Sequence, residues 1–347
     1  MRLIFLTVVE IGLQYVCKLK GLWMEYRILG STGLKVSELC LGTMQFGWTA
    51  DEKTSYDVLA AAVEAGINFI DTADIYSRWA EGNPGGVAET ILGKWLQNGV
   101  VQRHQMVIAT KVRGRMGDGP NDEGLSRRHV LNAVQESLRR LQTEYIDLYQ
   151  LHWPDEDTPI EETLRALDDL VRDGRVRYIG CSNFSAWRLM QALWVSERNN
   201  LARFICLQPH YNLIHRQEYE RELESVCQTY DLGVIPYSPL AGGFLTGKYE
   251  RGVTPPTESR GSTSKRIQTY MQDDRAWETL AKLRTLAEAQ GKTVSQMALA
   301  WQLTRPSVTS PIIGPRSLEQ LNDNLGAAGL RLSPDQMEEL EQISQEL

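Results

Sequence analysis

Eight short apolar runs alternate with stretches of helical periodicity, and one glycine-punctuated hairpin precedes them all. Strand–helix alternation builds a parallel sheet, and eight repeats close it. The sequence therefore predicts an α/β fold, a (β/α)8 TIM barrel with an N-terminal β-hairpin. No Gly-x-Gly-x-x-Gly follows the first strand, which argues against an open doubly wound sheet.

The hairpin pairs residues 26–28 with 35–37 around the turn Leu29-Gly30-Ser31-Thr32-Gly33. The first barrel strand, 39–41, runs into Gly42-Thr43-Met44. A helix over 51–65 follows, with Tyr56, Leu59, Ala60 and Val63 on its apolar side. The second strand, 68–70, ends on Asp71, and the third, 107–110, ends on Lys111. The helix predicted over 128–141 aligns Val130, Leu131, Val134, Leu138 and Leu141. Strand 146–151 ends at His152, and the helix 159–173 is closed by Gly174. Strands 178–181, 204–207 and 233–236 end at Ser182-Asn183, Gln208 and Tyr237-Ser238. Helices 277–290 and 294–303 precede the last strand, 310–313, which reaches Gly314; a helix over 318–327 follows. The longest segments without a periodic pattern are 77–86, 113–127 and 251–271. All three follow carboxyl ends of strands, the barrel face on which active sites are built.

Nothing marks a second domain, so residues 24–347 are predicted to form a single barrel. Residues 1–23 read as a disordered or upstream extension. Their apolar run, 3–9, is broken by Glu10 well short of a membrane span and lacks the flanks of a signal peptide. The 347 residues are 42% hydrophobic and 23% charged, which is ordinary for a globular chain. A net charge of −7 with no basic block excludes nucleic acid as a partner. Five cysteines, with no Cys-x-x-Cys spacing, read as buried thiols in a reducing, cytoplasmic setting and not as a disulfide or zinc framework. No membrane partner is expected, and assembly as a homo-oligomer stays open.

The chemistry lies at the strand ends. In a barrel, Asp71 and Lys111 stand on neighbouring strands, so each offers the other a buried partner. Tyr76 lies five residues past Asp71, within reach of the ammonium, and His152 is one strand further on. A phenol titrates near 10 when unperturbed, and an adjacent cation is expected to lower that value. Taken singly, Asp71 reads as a helix cap, Lys111 as a loop lysine, His152 as a core histidine and Tyr76 as loop packing. Four such coincidences in one register are harder to sustain. A tyrosine, a lysine, a carboxylate and a histidine without metal-ligand spacing suit protonation of a carbonyl oxygen while its carbon receives hydride from a nicotinamide.

On the motifs Asp71-x-x-x-x-Tyr76, Thr110-Lys111, Leu148 to His152, Gly180-Cys181-Ser182-Asn183-Phe184, Pro236 to Gly243 and Ile312 to Asn324, the chain resembles the aldo-keto reductase family from about Met24 onward. Its branch is similar to the bacterial and potassium-channel β-subunit-like members. The resemblance implies a metal-independent enzyme with Asp71, Tyr76, Lys111 and His152 as catalytic residues and Tyr76 as general acid. It implies a small-molecule carbonyl substrate and a nicotinamide cofactor. Ser182, Asn183 and Gln208 would hold the carboxamide and Tyr237 would stack on the ring, with Gly42, Thr43, Met44 and Asp71 alongside. Ser238, Pro239, Leu240, Gly242, Leu245 and Lys248 would line the pyrophosphate, with Arg260 closing over it. Ile313, Gly314, Arg316, Gln320 and Asn324 would hold the adenosine end. Arg316, at a helix start, favours NADPH over NADH, although Pro315-Arg316-Ser317 departs from the Lys-Ser pair of many relatives and keeps use of NADH open.

Gly242-Gly243-Phe244-Leu245-Thr246-Gly247-Lys248 has P-loop spacing, but Tyr249 stands where the magnesium-binding hydroxyl belongs, so nucleotide hydrolysis is a poor fit. Trp48, Trp79 and Trp153 fall on loops at the active face and join Tyr76 and His152 as candidate substrate contacts. Trp187, Trp194, Trp277 and Trp301 read as helix packing. Asp74 and Glu89 read as solvated loop charges, and His129, His210 and His215 as structural or exposed. Two other functions stay open: a nicotinamide-binding sensor or regulatory subunit with negligible turnover, and a metal-dependent barrel hydrolase, for which the sequence offers no His-x-His or clustered carboxylates.

Overall fold

The computed structural model describes residues 8–11, 14–19, 22–257 and 259–345, with side chains from Met24 onward. A four-stranded antiparallel meander opens the chain: β1 (Val8–Ile11), β2 (Gln14–Leu19), β3 (Leu22–Ile28) and β4 (Lys35–Ser37). β3 and β4 are the predicted hairpin, in register Tyr26↔Ser37, Arg27↔Val36 and Ile28↔Lys35. The segment 1–23, set aside as an extension on sequence grounds, contributes β1, β2 and the first residues of β3. Positions 1–7, 12, 13, 20 and 21 lie outside the described residues.

Eight parallel strands follow: β5 (Cys40–Gly42), β6 (Phe69–Asp71), β7 (Val107–Val112), β8 (Ile146–Leu151), β9 (Val176–Ser182), β10 (Phe204–Gln208), β11 (Gly233–Val234) and β12 (Ile312–Ile313). Each pairs with its sequence neighbour from β5 to β11, and β12 returns to β5. Backbone donors of the segment entering β12 then reach β11 and its extension, Thr309 N to Val234 O at 2.7 Å and Ile312 N to Pro236 O at 2.8 Å. The sheet is therefore a closed (β/α)8 TIM barrel.

Alternation along each strand sorts side chains between two cores. Cys40, Phe69, Ala109, Leu148, Cys206 and Ile235 fill the barrel interior, together with Leu29 and Val36 of the hairpin, which plugs one end. Leu41, Ile70, Ile108, Tyr149, Leu151 and Ile179 point outward into the larger core beneath the helices. Gly30 shows how tightly the plug sits. Its φ is +56°, and a Cβ there would lie 2.3 Å from the Ile205 carbonyl oxygen. Full burial of Phe69 contributes about 1.5–3 kcal/mol by transfer alone.

Helix ends follow their caps. Asp51 caps Glu52–Glu64 through Thr54 N, and Ser126 caps Arg127–Leu141 through His129 N. Two helices whose bounds are not read from the sequence, Val87–Gln97 and Ala186–Asn199, complete the second and fifth strand–helix units. The first starts at Gly86, which has no side chain to cap it, and the second at Ser185, a cap-type residue that makes no side-chain cap bond. The segment 251–271 is not structureless, because Arg260–Thr263 and Lys265–Gln272 are helical. Two tryptophan assignments change as well. Trp301 is fully buried, but Trp187 and Trp194 are 61% and 57% exposed, each beneath a guanidinium, Arg188 and Arg198 respectively. Among the described residues, Cys40, Cys181, Cys206 and Cys227 are buried free thiols, and no helix is long and apolar enough to cross a membrane.

Candidate active site

Inward alternation on β6, β7 and β8 delivers Asp71, Lys111, Gln150 and His152 to the carboxyl end of the barrel, above the apolar fill. Lys111 is fully buried and spends all three ammonium protons. It donates to Asp71 Oδ2 at 2.5 Å, Tyr76 Oη at 2.8 Å and the Thr72 carbonyl at 2.9 Å. The other Asp71 oxygen accepts from Gln150 Nε2 at 3.1 Å and Gln208 Nε2 at 2.9 Å. A buried ion pair is tolerable under these conditions, with good geometry and the remaining lone pairs satisfied. Tyr76 reaches the ammonium because the chain after β6 turns tightly. Ser77 sits at φ 71° and donates to the Phe46 carbonyl, which ties two loops together.

The electrostatics correct one expectation. Burial outweighs the Lys111 charge, and the Tyr76 phenol is pushed up to about 12, not lowered. Burial alone would depress the Lys111 ammonium, but Asp71 and Tyr76 together raise it above its ordinary value. His152 is driven well below its usual range by burial first, then by the charges of Lys111 and Arg113. At neutral pH the site thus holds a protonated phenol, a charged ammonium and a neutral imidazole.

The loop tryptophans gather on this group. Trp79 meets Tyr76 at 6.1 Å between ring centroids and Trp48 at 5.6 Å, both edge-on. The His152 ring lies 5.9 Å from Tyr76 and stacks on Trp153 at 3.8 Å. All three tryptophans are 40–47% exposed, so they form a rim over the phenol and imidazole.

The cofactor candidates fall into three groups. Thr43 N and Oγ1 both donate to the Asp71 carbonyl, which sets Gly42, Thr43 and Met44 beside the carboxylate. Tyr237 donates to Asn183 Oδ1 at 2.8 Å, and Asn183 in turn donates to the His152 carbonyl and to Ser182 Oγ. Ser182 donates to the Gln208 carbonyl. The Gln208 amide nitrogen itself is turned inward to Asp71 and Gln150, not outward. Beyond Tyr237 the backbone is folded into left-handed conformations at Ser238, Ala241, Gly242, Gly243 and Gly247, within and around a short 3₁₀ stretch, Ala241–Thr246, that carries Leu245 and is preceded by Leu240.

This geometry is not that of a strand–loop–helix P-loop. A Cβ on Gly243 would lie 2.8 Å from Lys248 Nζ, so the ammonium rests on the glycine backbone. Arg260 lies over Trp48 at 5.7 Å, and its Nη2 is buried without a hydrogen-bond partner. Burial and the nearby Arg316 charge both lower the Arg260 guanidinium. Gln320 accepts from Arg316 N at 3.0 Å on Leu318–Leu325, the helix that also carries the buried Asn324; Gly314 is exposed just after Ile313. A cationic rim with an unpartnered buried donor, beside backbone bent where only glycine is comfortable, fits an elongated phosphate-bearing ligand.

Gln150 escaped notice in the sequence. The signal was present in the inward period of Leu148, Gln150 and His152. Asp74 and Glu89 are not solvated loop charges, since both are fully buried behind the β6–β7 wall. Glu89 accepts from Thr110 and Arg140 at 2.6 Å each, while neither Asp74 oxygen has a partner.

A closed parallel barrel with a buried lysine–carboxylate pair feeding a tyrosine hydroxyl defines a carbonyl-handling (β/α)8 oxidoreductase. The model of the Aldo/keto reductase family matches residues 38–345, and the chain belongs to that family. It is an NAD(P)H-dependent oxidoreductase acting on carbonyl groups. It is 40% identical to the uncharacterized oxidoreductase YrpG of Bacillus subtilis, across 92% of this chain and 96% of that one. It is 35% identical to a probable voltage-gated potassium channel subunit beta of Arabidopsis thaliana, over 93% and 97% of the two chains. It is also 35% identical to a versiconal hemiacetal acetate reductase of Aspergillus parasiticus, over 92% and 96%.

Proposed function

We propose that the protein reduces an aldehyde or ketone to an alcohol with NADPH in the cytoplasm, and that Tyr76 supplies the proton. The observation that carries this is the Lys111 ammonium, locked by Asp71 and donating to the Tyr76 hydroxyl at 2.8 Å. The bound dihydronicotinamide would supply hydride to the carbonyl carbon. Tyr76, protonated at neutral pH, donates Oη–H to the carbonyl oxygen; the phenolate left behind faces a cation already in position, so little reorganisation is needed. His152, neutral and packed edge-on to Tyr76, orients the same oxygen as a hydrogen-bond partner. Trp48, Trp79 and Trp153 exclude water from the substrate side.

Ser182, Asn183 and Tyr237 would hold the nicotinamide end, and the bent segment from Ser238 to Lys248 with Arg260 would hold the pyrophosphate. Arg316 would favour a 2′-phosphate, with Gln320 and Asn324 near the adenosine. In this scheme Gln208 supports Asp71 more directly than the carboxamide. The test is Tyr76→Phe. Turnover should fall at least about 100-fold, while the NADPH dissociation constant from fluorescence quenching moves less than about twofold. Equal loss of both would remove Tyr76 as the acid. Likeness to proteins named as channel subunits favours a second role, cofactor sensing with negligible turnover; tight NADPH binding with no oxidation across a broad carbonyl panel would establish it.

A further inference from the structure

Two residues past Lys111 the chain leaves β7 through Arg113, whose φ is 131°. Few L-residues adopt that conformation, and such strain persists only where the surroundings fix it, most often at ligand sites. The surroundings here do fix it. The Arg113 carbonyl accepts from Gly124 N at 3.1 Å, and a Cβ on Gly114 would lie 2.7 Å from the Ile75 side chain. The preceding residue pairs with the histidine, because His152 N donates to the Val112 carbonyl at 2.9 Å. Arg113 therefore stands at the mouth of the site, beside the imidazole, on which its charge acts.

Among the described residues no side chain or backbone group bonds the guanidinium. Its Nε is buried without a hydrogen bond, and no ion pair or side-chain hydrogen bond of Arg113 is found among the described residues. Asp155 feels its charge, but the Asp155 oxygens are engaged by Leu125 N at 2.7 Å, Thr158 Oγ1 at 2.8 Å and Asp157 N at 3.1 Å. A half-buried guanidinium left unpaired is costly unless something else pairs with it, and its planar fork matches a carboxylate in two parallel bonds.

We propose that Arg113 recognises a carboxylate on the substrate, so that the preferred substrates are aldehydes or ketones bearing a carboxylate that pairs with Arg113 while the carbonyl sits between Tyr76 and His152. This rests on the carbonyl-reduction function above and names its substrate class. Arg113 acts in specificity and takes no part in proton transfer.

The test compares 4-carboxybenzaldehyde with its methyl ester in the wild type, Arg113→Gln and Arg113→Lys. The wild type should favour the acid. Arg113→Gln should lose about 10- to 100-fold in kcat/KM for the acid, mostly through KM, and less than about twofold for the ester. Arg113→Lys should recover part of the loss. Tm and NADPH quenching should stay unchanged in both variants. A second arm measures, by tryptophan fluorescence with NADP+ bound, the affinity for 4-carboxybenzyl alcohol and for its methyl ester. Arg113→Gln should weaken only the acid. The same acid-to-ester ratio in wild type and Arg113→Gln, or equal losses for both, overturns the proposal. If the wild type reduces neither aldehyde, carbonyl reduction fails on its own account. Arg113 is then judged on binding, and equal wild-type affinity for acid and ester overturns it.

Discussion

Lys111→Met keeps the length and apolar stem of the side chain and deletes only the cation. In the structure that cation makes three hydrogen bonds from a fully buried position, and its main partner, Asp71, is 1% exposed. Without it, Asp71 retains only the two amide donors from Gln150 and Gln208. Breaking one side of a buried pair costs about 3–5 kcal/mol. With an unfolding entropy of about 2.1 cal/mol/K per residue, that corresponds to a Tm lower by roughly 4–7 °C for a chain of this length. Asp71→Asn combined with Lys111→Met removes the stranded charge, so the double variant should melt above the sum of the single losses, with a coupling of about 2 kcal/mol or more. Calorimetric melts of the four proteins measure this, and carbonyl turnover in parallel should fall at least about 100-fold in Lys111→Met. Additive melting losses would mean that Asp71 and Lys111 do not hold each other, and the electrostatic account of Tyr76 would fall with that result.

Gln150→Leu tests the residue the sequence did not flag. Asp71 loses one amide donor and Gln208 loses one of its two acceptors, so stability should drop by about 1–2 kcal/mol and kcat several-fold, with NADPH affinity intact; an unchanged melt would make the contact incidental. The pH profile follows from two groups. Tyr76, raised to about 12, stays protonated below that value, and His152, depressed by burial, stays neutral through the physiological range. Reduction kcat/KM should therefore be flat from about pH 6 to 9; a limb centred near 7 would place a differently tuned group in the transition state.

Much of this was legible because strand ends carry both the topology and the chemistry. Asp71, Lys111 and His152 are identifiable in the sequence since each interrupts an apolar run at the carboxyl end of its strand, although pairing sets Asp71 level with Ala109 and Lys111 level with Gln150. Tyr76 follows from its spacing to Asp71. What stayed hidden depends on tertiary context. The Tyr76 shift reverses sign because burial, which no spacing encodes, exceeds the pull of one nearby cation. Gln208 has the residue type of a carboxamide binder, yet its amide is drawn inward by Asp71, a contact spanning 137 residues. Trp187 and Trp194 lie one side of a helix apart from its packed face, and periodicity alone did not reveal that guanidinium groups and not core atoms cover them. Helix Val87–Gln97 starts at Gly86, with no capping side chain to announce it.

The wall between β6 and β7 separates two acids only three residues apart, and the contrast is measurable. Asp71 faces a lysine and two amides, whereas Asp74 lies on the other side, fully buried, with neither oxygen bonded. Burial first, and then the neighbouring Glu89 charge, raise the Asp74 carboxyl well above its ordinary value, against the opposing pull of Arg140 and Lys111. Folded Asp74 thus holds a proton that the unfolded chain releases above about pH 4. In that window the native state binds more protons than the unfolded state, so stability is fully present below the unfolded value and declines as pH rises toward the folded one. One such group contributes at most about 1.4 kcal/mol per pH unit. Asp74→Asn cannot titrate, so the difference in unfolding free energy between wild type and variant should move against the wild type from pH 5 to 8. Denaturant melts across that range measure the slope. Parallel curves would show that Asp74 is ionised in the folded protein, and a solvated carboxylate would then have to replace the buried neutral acid behind Tyr76.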